Sequence, residues 1–367
     1  MLKIDRRLIV HFDWPLLAVV TLITGWGITT VLSATYTPVR AFSAVALRQL
    51  IWAIVGLGAL LATLSFDYRR LESWAYVIYA AALLLLVMVP VLGAVGGGSR
   101  RWLILGPASL QPSEFMKLAL VVALARWLHR LAGDRALPLR ALILPVLLLA
   151  PAVLLILKQP DLGTALVLIA TAGSLILLAG FRIRYVLLAG AVAIPVLPYV
   201  WHHLKTYQKQ RLLTFVDPMA DPLGAGYHVI QSQIAIGSGQ WWGKGFLHGT
   251  QSRLNFLPEQ HTDFIFSVFA EEWGFIGALL LLSLYLVLLI RCFVVASRAK
   301  DNFGILVAFG ITATIFWQVL INLGMATGSL PVVGITLPFF SYGGSSLLAL
   351  MVGIGLLMNI SMRRFTF

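Results

Sequence analysis

The sequence predicts an all-α integral membrane protein, and three observations support this fold class. Hydrophobic residues make up 60% of the chain and charged residues only 11%, whereas a soluble domain carries about 25% charged residues. The mean hydropathy is +0.92. Apolar runs of about 20 residues, the length of helix that crosses a hydrocarbon core of about 30 Å, recur along the chain, and the short alternating strands typical of a membrane β-barrel do not.

These apolar runs define about ten predicted transmembrane helices, and we treat residues 1–367 as a single polytopic domain. The predicted spans are residues 14–35, 47–65, 74–93, 113–129, 139–157, 162–180, 184–201, 264–290, 303–324 and 345–361. The apolar stretch of the first span is too long for a cleaved signal peptide, so we predict an uncleaved anchor.

Basic residues determine the predicted orientation. The chain has 27 Lys and Arg against 14 Asp and Glu, a net charge of +13. Such a charge is found in nucleic-acid-binding proteins, but Lys and Arg also accumulate in short cytoplasmic loops of membrane proteins. With the N-terminus inside, most basic residues outside the long loop between spans seven and eight fall in cytoplasmic segments. We therefore predict that both termini are cytoplasmic and that nucleic acid is not a partner.

The long extracytoplasmic loop, about residues 202–262, is predicted to be ordered. Its segment "GYHVIQSQIAIG" places Val229, Ile230, Ile234 and Ile236 so that a short helix can lie on the membrane surface with its apolar side down. The histidines of the loop lack the spacing of metal ligands, and the chain has one cysteine. We expect no dedicated metal site and no intrachain disulfide.

In this orientation every even-numbered helix begins on the outer face, and polar motifs lie at four of these starts. They are "QPSEFMK" before the fourth helix, "KQPDLGT" before the sixth, "HTDF" before the eighth and "SYGGSS" before the tenth. The cytoplasmic loops, by contrast, are short and mostly basic. The chemistry of the protein is therefore expected at its outer face.

Asp263 of "HTDF" is the candidate catalytic residue. In one interpretation Thr262 caps the eighth helix and Asp263 lies in its first turn, where the helix dipole favours an acid. In the other, an ionised carboxylate at the boundary of water and lipid accepts a proton from a hydroxyl nucleophile. Glu271 and Glu272 lie about 80° and 180° around the helix from Asp263, and Glu271 lies about 12 Å deeper. They either form structural pairs or line the site.

A second group of residues is a candidate site for a phosphate or diphosphate, which outward helix N-termini favour. Glu114 and Lys117 can pair on one helix face, either as a simple ion pair or as part of the anion site. Arg48 either joins this site or extends towards the interface, and Asp161 follows Pro160 in a helix-start pattern. The candidate substrate-binding residues are Lys117, Glu114, Arg48, Arg101, Asp161, Lys158, Ser341 and Ser345.

Four long motifs, "QPSEFMK", "QPDLGT", "GTQSRLNFLPEQHTDFIFSVFAEEWGFIG" and "LPVVGITLPFFSYGGSS", occur in this order in the chain. In these motifs, and over its whole length, the sequence resembles the SEDS family (shape, elongation, division and sporulation). The resemblance implies a peptidoglycan glycosyltransferase of the bacterial cytoplasmic membrane that polymerises lipid II into β-1,4 glycan strands. A class B penicillin-binding protein, which cross-links the strands, is the implied partner.

The same resemblance implies roles for individual residues. It makes Asp263 the catalytic residue and Glu114, Lys117 and Asp161 functional positions, with a divalent cation (Mg²⁺ or Mn²⁺) that assists without a dedicated site. Division-type members share "HTDFIF", but the short segment before the first span and the lead-in "GTQSRLNFLPEQ" favour the elongation type. Our hypothesis is that Asp263 accepts the proton of the acceptor's C4 hydroxyl while the donor's diphosphate departs.

Two functions of other classes remain as alternatives. A transporter of lipid-linked sugars predicts ionisable groups through the full depth of the bundle and on both faces. A scaffold for other elongation proteins predicts no sensitivity to isosteric replacement of Asp263.

Overall fold

The structure is a computed structural model, and it describes most of the chain. The described residues are 12–36, 43–96, 99–106, 108–131, 139–181, 195, 202, 209, 213–217, 219, 226–254, 256–257 and 259–364. The helices are α1 (Trp14–Ala34), α2 (Ala44–Leu64), α3 (Arg70–Leu92), α4 (Pro112–Leu131), α5 (Ile143–Lys158), α6 (Leu162–Leu178), α7 (Tyr227–Ser238), α8 (Thr250–Arg253), α9 (Ile265–Ser297), α10 (Asn302–Ala326) and α11 (Gly344–Met362).

Nine of the ten predicted spans have a helical counterpart, and the seventh, 184–201, lies almost entirely outside the described residues. Among the described residues, seven helical segments are long and apolar enough to cross a membrane, with the short helix Leu139–Leu142 and α5 taken as one. Helix α6 is apolar but shorter, and α4 carries charged side chains at both ends. The protein is therefore a helical membrane protein.

Helices α10 and α11 form the centre of the bundle, because most of their residues are buried inside the protein. Helix α11 packs tightly against α2, where a Cβ atom added at Gly355 would lie 2.8 Å from the backbone oxygen of Leu60. Small residues allow this close approach in membrane helices. The outer helices instead expose large apolar side chains, such as Ile54 and Leu84, as a surface in contact with lipid requires.

A small antiparallel sheet connects α3 to α4, and the all-α prediction missed it. Its strands β1 (Ala94–Gly96), β2 (Ser99–Leu105) and β3 (Ala108–Leu110) pair in the order β1-β2-β3. Gly106 makes the turn after β2 with φ +63°, a conformation that favours glycine. The sheet places β2 beside the start of α6.

Helix α9 is broken at Gly274, where φ is 63° and ψ is −163°. An unbroken helix of 33 residues would be about 50 Å long, whereas residues 275–297 alone extend about 35 Å, enough to cross the membrane. A Cβ atom at Gly274 would lie 2.3 Å from the backbone nitrogen of Gly243, so the break requires glycine. Glu271 and Glu272 therefore lie on a short arm before the span, not deep within one continuous helix as predicted.

The loop segment before α9 bridges this break with backbone hydrogen bonds. The amide of Phe275 donates to the carbonyl of Gln240 at 2.7 Å, and the amide of Lys244 donates to the carbonyl of Glu271 at 3.0 Å. These bonds satisfy backbone groups that the break removes from the helix ladder. The described part of the long loop that precedes α9 is thus fastened to this helix.

Helix α7 is the short loop helix that the sequence predicts, but it buries a different face. Its buried residues are Val229, Ser232 and Ala235, and Ile234 is 45% exposed. The hydroxyl of Ser232 lies 2.6 Å from that of Ser267 in α9. The helix therefore packs on the protein mainly through Val229 and small residues, with Ile236 partly buried against the core and Ile234 left exposed.

Candidate active site

The four polar motifs that precede the even-numbered spans converge on one cavity of about 390 Å³. Its walls include the starts of α4, α6 and α11, the turn before α9, strand β2 and the loop 331–337. Asp263, Glu114, Lys117, Asp161 and Arg101 all line it. The structure thus brings together five of the nine candidate site residues from distant parts of the sequence.

Asp263 lies in a turn that ends before α9 begins. The N-cap of α9 is Phe264, which makes no side-chain capping bond, so the interpretation of Thr262 as the cap of this helix is wrong. The half-buried side chain of Asp263 faces the cavity. A Cβ atom added at Gly334 would lie 3.4 Å from its Oδ2 atom, which shows how closely the loop 331–337 approaches the carboxylate.

The buried side chain of Asn322 fixes the backbone of Asp263. Its Nδ2 atom donates to the carbonyl of Asp263 at 2.9 Å and to that of Ile335 at 2.6 Å. One amide group therefore ties the turn that carries the carboxylate to the loop opposite it. Sequence reasoning missed Asn322, although a fully buried Asn in an apolar helix is itself a signal of a required hydrogen bond.

Ser341 also holds this turn and does not itself line the cavity. Its hydroxyl donates to the carbonyl of Thr262 at 2.6 Å and accepts from the amide of Leu337 at 2.8 Å. The next residue, Tyr342, donates its amide to the carbonyl of His261 at 2.9 Å. The "SYGGSS" motif thus positions the "HTDF" motif, a function that differs from the substrate binding predicted for Ser341.

Glu114 and Lys117 form the predicted ion pair. The Nζ atom of Lys117 lies 2.9 Å and 2.8 Å from the two carboxylate oxygens of Glu114. Both side chains are nearly buried, and both line the cavity. The pair therefore keeps one positive and one negative charge fixed at the wall of the cavity.

Asp161 is the N-cap of α6. Its Oδ1 accepts from the amide of Thr164 at 3.1 Å, and its Oδ2 accepts from the hydroxyl of Thr164 at 2.9 Å. The side-chain amide of Gln111 also donates to Oδ2, at 3.3 Å. The carboxylate thus has a structural role and at the same time joins the starts of α4 and α6 at the cavity.

Arg101 and Ser345 hold neighbouring backbone in place. The guanidinium of Arg101 donates to the carbonyls of Gln159 and Pro160, which stabilises the turn before α6 while Arg101 remains at the cavity wall. The hydroxyl of Ser345 accepts from the amide of Gln111 at 3.1 Å and donates to the carbonyl of Ser109 at 2.9 Å. Ser345 itself does not line the cavity.

The structure does not bring Arg48 and Lys158 to the cavity. Both side chains are exposed, and in each case the following residue turns inward. Gln49 is fully buried and donates to the carbonyl of Ser341 at 3.0 Å, and Gln159 donates to the carbonyl of Leu86 at 3.2 Å. Adjacent residues on a helix lie about 100° apart, so the cations point away from the site.

Two further cavity residues were missed by the sequence analysis. Gln318, in the apolar helix α10, is 1% exposed and lines the cavity. Within the described part of the chain its Oε1 atom has no hydrogen-bond partner, so it is available to a polar ligand. His261 also lines the cavity, and burial lowers its pKa against the opposing effect of the Glu259 carboxylate.

Among the described residues, carboxylates outnumber cations in the cavity wall. These residues are Glu114, Asp161, Glu259 and Asp263 against Arg101 and Lys117. Among the described residues no group of three acidic, His or Cys side chains has the geometry of a metal site. The described part of the cavity wall thus supplies neither an excess of positive charge for a diphosphate nor a group of three ligands for a metal ion.

Glu271 and Glu272 lie outside this cavity and bond to the loop and to α1, and in the described part of the chain Oε2 of Glu272 is buried without a hydrogen-bond partner. Glu271 accepts from the Nζ atom of Lys244 at 2.6 Å and from the amide of Thr250 at 2.8 Å. Glu272 accepts from the hydroxyl of Ser33 and from the amide of Leu247. Of the two interpretations of these acids, the structure supports structural pairing.

A helical bundle that spans the membrane and gathers acids, cations and amides in a cavity at one end defines a polytopic membrane protein with a polar site for a ligand. The family model of cell cycle proteins that comprises FtsW, RodA and SpoVE matches residues 13–365. The chain therefore belongs to this family, which is the SEDS family.

Relatives with assigned functions extend over most of the chain. The peptidoglycan glycosyltransferase MrdB of Escherichia coli K12 is 47% identical over 298 residues, 81% of this chain and 80% of MrdB. Stage V sporulation protein E of Bacillus subtilis is 40% identical over 86% of both chains. A probable peptidoglycan glycosyltransferase FtsW of Trichlorobacter lovleyi is 39% identical over 98% of this chain and 96% of its own.

Two solved structures share the fold. One belongs to a study of how a peptidoglycan synthase complex coordinates polymerization and crosslinking, and it matches with a TM-score of 0.84 at 38% identity over 97% of this chain and 99% of its own. The rod shape determining protein RodA of Thermus thermophilus matches with a TM-score of 0.72 at 34% identity, over 97% and 98%.

Proposed function

We propose that this protein is a peptidoglycan glycosyltransferase that polymerises lipid II into β-1,4 glycan strands at the outer face of the bacterial cytoplasmic membrane. Its family and its relatives support this activity. The observation that carries the proposal is the position of Asp263, half-buried in a polar cavity formed by the starts of helices that are distant in sequence. A carboxylate in such a place has both access to substrate and a fixed orientation.

In the proposed mechanism Asp263 is the general base. Its carboxylate accepts the proton from the C4 hydroxyl of the acceptor's GlcNAc as that oxygen attacks C1 of the donor's MurNAc. Attack opposite the departing undecaprenyl diphosphate inverts C1 and gives the β-1,4 bond. The hydrogen bonds from Asn322 to the carbonyls of Asp263 and Ile335 hold the base in position, which lowers the entropic cost of reaching the transition state.

Lys117 and Arg101 are the cations of the cavity wall that face the leaving group in this proposal. Both already interact with protein groups, Lys117 with Glu114 and Arg101 with backbone carbonyls. Because carboxylates outnumber cations in the cavity, a diphosphate entering alone would be repelled. These two residues are therefore insufficient to stabilise the departing diphosphate.

A divalent cation fits this charge balance. Mg²⁺ is commonly bound by one or two carboxylates together with substrate phosphates, and the carboxylates of Asp263 and Glu259 both line the cavity. Bound there, the ion would neutralise charge on the diphosphate. We propose that the ion is shared between the protein and the diphosphate of the substrate.

Chelation tests the cation proposal. Excess EDTA should lower lipid II polymerisation by the purified protein about 100-fold or more, and Mg²⁺ or Mn²⁺ should restore it, because the net negative cavity then accepts the diphosphate. Ca²⁺-saturated EDTA serves as the control for effects of the chelator itself. Full activity after complete removal of divalent ions would exclude this role.

We assign the elongation role to this enzyme, with a class B penicillin-binding protein as partner. The chain is more similar to MrdB, at 47% identity, than to the probable FtsW, at 39%, and a rod shape determining protein shares its fold. The neighbour from a complex that combines polymerization and crosslinking supports a transpeptidase partner. Adding that partner to the purified protein should raise the rate of polymerisation.

The distribution of buried charge argues against the transporter alternative. In the described ranges the buried acidic and basic side chains are Asp13, Glu114, Lys117, Asp161, Glu271 and Glu272. Asp13 lies at the end of the bundle opposite the cavity, and the others lie at the cavity end or on the arm before the break in α9. A translocation path would require such groups at intermediate depth as well.

Polymerisation of purified lipid II by the isolated protein tests the proposed function directly. The assay is run in liposomes beside a flipping assay on the same preparation, with and without a class B penicillin-binding protein. Glycan strands without lipid II movement across the bilayer support the glycosyltransferase. Movement without polymerisation would favour the transporter, and neither activity in a folded protein would favour the scaffold.

A further inference from the structure

A second polar cavity, of about 160 Å³, lies at the opposite end of the bundle. It is formed where the start of α1 meets the ends of α9 and α11. Arg291, Arg298 and Arg364 line it together with Asp13 and Ser361. The proposed glycosyltransferase chemistry uses none of these residues.

The described lining of the cavity carries an excess of positive charge. It comprises three guanidinium groups and one carboxylate, that of Asp13, whose Oδ1 accepts from the amide of Leu16 at 3.0 Å and from Nη2 of Arg291 at 2.7 Å. The Nε atom of Arg291 is buried and has no hydrogen-bond partner in the described part of the chain. A buried N–H group without a partner is costly, and an anion in the cavity would satisfy it.

The surroundings of the cavity are those of a membrane interface. Trp14 is 63% exposed, next to Asp13, and Ile290 and Phe293 are more than half exposed on either side of Arg291. Tryptophan is enriched where hydrocarbon meets headgroups. The cavity is therefore next to a surface that suits lipid, on the face where basic residues are predicted to be cytoplasmic. The cytoplasmic leaflet also carries anionic lipids.

We propose that this cavity binds the phosphate headgroup of an anionic phospholipid. Guanidinium groups match phosphate with two parallel hydrogen bonds, and the ends of α9 and α11 supply the arginines from two parts of the chain. The bound headgroup would tie the start of α1 to both helix ends. This inference does not depend on the proposed enzymatic function.

The test compares lipid binding by the wild-type protein and by Arg298→Gln/Arg364→Gln. Native mass spectrometry measures binding of phosphatidylglycerol and phosphatidylcholine, and thermal midpoints are measured in nanodiscs of either composition. The wild type should retain phosphatidylglycerol selectively, and the double variant should bind it at least about 10-fold more weakly. Arg70→Gln is the matched control, because Arg70 is an exposed arginine that does not line the cavity.

Three other results would overturn the proposal that the cavity binds an anionic phospholipid. Equal retention of the two lipids by the wild type would overturn the proposal even if the double variant fails to fold. Equal weakening by Arg70→Gln would reduce the effect to general surface charge and would also overturn it. Stabilisation by inorganic phosphate in detergent, with no preference between the lipids, would identify a soluble anion as the ligand in place of a lipid.

Discussion

Asp263 and Glu271 are carboxylates of one short segment, yet they have opposite environments. Asp263 is half-buried at the wall of an open cavity, and the protein holds its backbone through Asn322. Glu271 is fully buried, and its carboxylate accepts bonds from Lys244 and Thr250. The first carboxylate faces space that a substrate can enter, and the second stabilises the loop that closes over α9.

This difference shows that proximity in sequence does not make two acids part of one site. Both acids precede the break at Gly274, but the loop segment that bridges the break bonds to the carboxylates of Glu271 and Glu272, whereas Asp263 lines the cavity. A buried carboxylate saturated with hydrogen bonds is expected to contribute to stability. A carboxylate at a cavity wall is expected to contribute to activity.

The largest predicted effect is the loss of activity in Asp263→Asn. The amide has nearly the same shape but cannot accept the proton, so the rate of lipid II polymerisation should fall about 100-fold or more, while the thermal midpoint stays close to that of the wild type. Rates are measured on purified protein with lipid II. A variant that still polymerises at the wild-type rate would remove Asp263 from the catalytic role.

Glu271→Gln is the matched replacement at the other carboxylate and should have the opposite effect. It leaves the ammonium of Lys244 without its charged partner. Because that ammonium is partly exposed, the free energy of unfolding should fall by about 2–3 kcal/mol, at the lower end for a buried ion pair. The measurement is the thermal midpoint, together with the activity per folded molecule. A stable but inactive Glu271→Gln protein would contradict the comparison.

A smaller effect is expected from Asn322→Leu, which removes the two bonds that hold the carbonyls of Asp263 and Ile335. The looser turn should lower kcat about 10-fold and change KM less, because misplacement of a catalytic group weakens the transition state. Asn359→Leu is the control, since Asn359 is equally buried and bonds the carbonyls of Thr63 and Phe66 far from the cavity.

Each variant leaves two backbone carbonyls without a partner, and Asn359→Leu should lose at least as much stability as Asn322→Leu, because it also removes the bond that Arg363 donates to Oδ1 of Asn359. Only the variant at Asn322 should also lose activity per folded molecule. Equal activity in both variants would mean that Asn322 stabilises the bundle without positioning the catalytic carboxylate.

Hydropathy and motif positions predicted most of this architecture. The spans follow from apolar length, and the four helix starts that carry polar motifs converge at one end of the bundle, as the alternating direction of successive spans requires. These patterns did not predict how each helix is rotated about its axis. Arg48 and Lys158 were therefore predicted as site residues, whereas in the structure the neighbouring residues Gln49 and Gln159 face inward. The break at Gly274 was not predicted, because it depends on backbone hydrogen bonds from the loop before α9. The spacing of apolar residues in the sequence does not reveal such bonds.

The smallest predicted effect concerns the histidine of the cavity. Burial lowers the pKa of His261, partly opposed by Glu259, so its neutral form is favoured in the folded protein. Neutral His261 contributes fully to the free energy of unfolding above the pKa of an unfolded histidine, about 6.5. This contribution is lost as the pH falls through the lower pKa of His261 in the folded state. The thermal midpoint of the wild type should therefore fall more between pH 7 and pH 5.5 than that of His261→Gln. His248→Gln is the control, at an exposed loop position, and its thermal midpoint should change with pH as that of the wild type does. If the thermal midpoint changes equally with pH in all three proteins, the titration of His261 does not contribute to the pH dependence of stability.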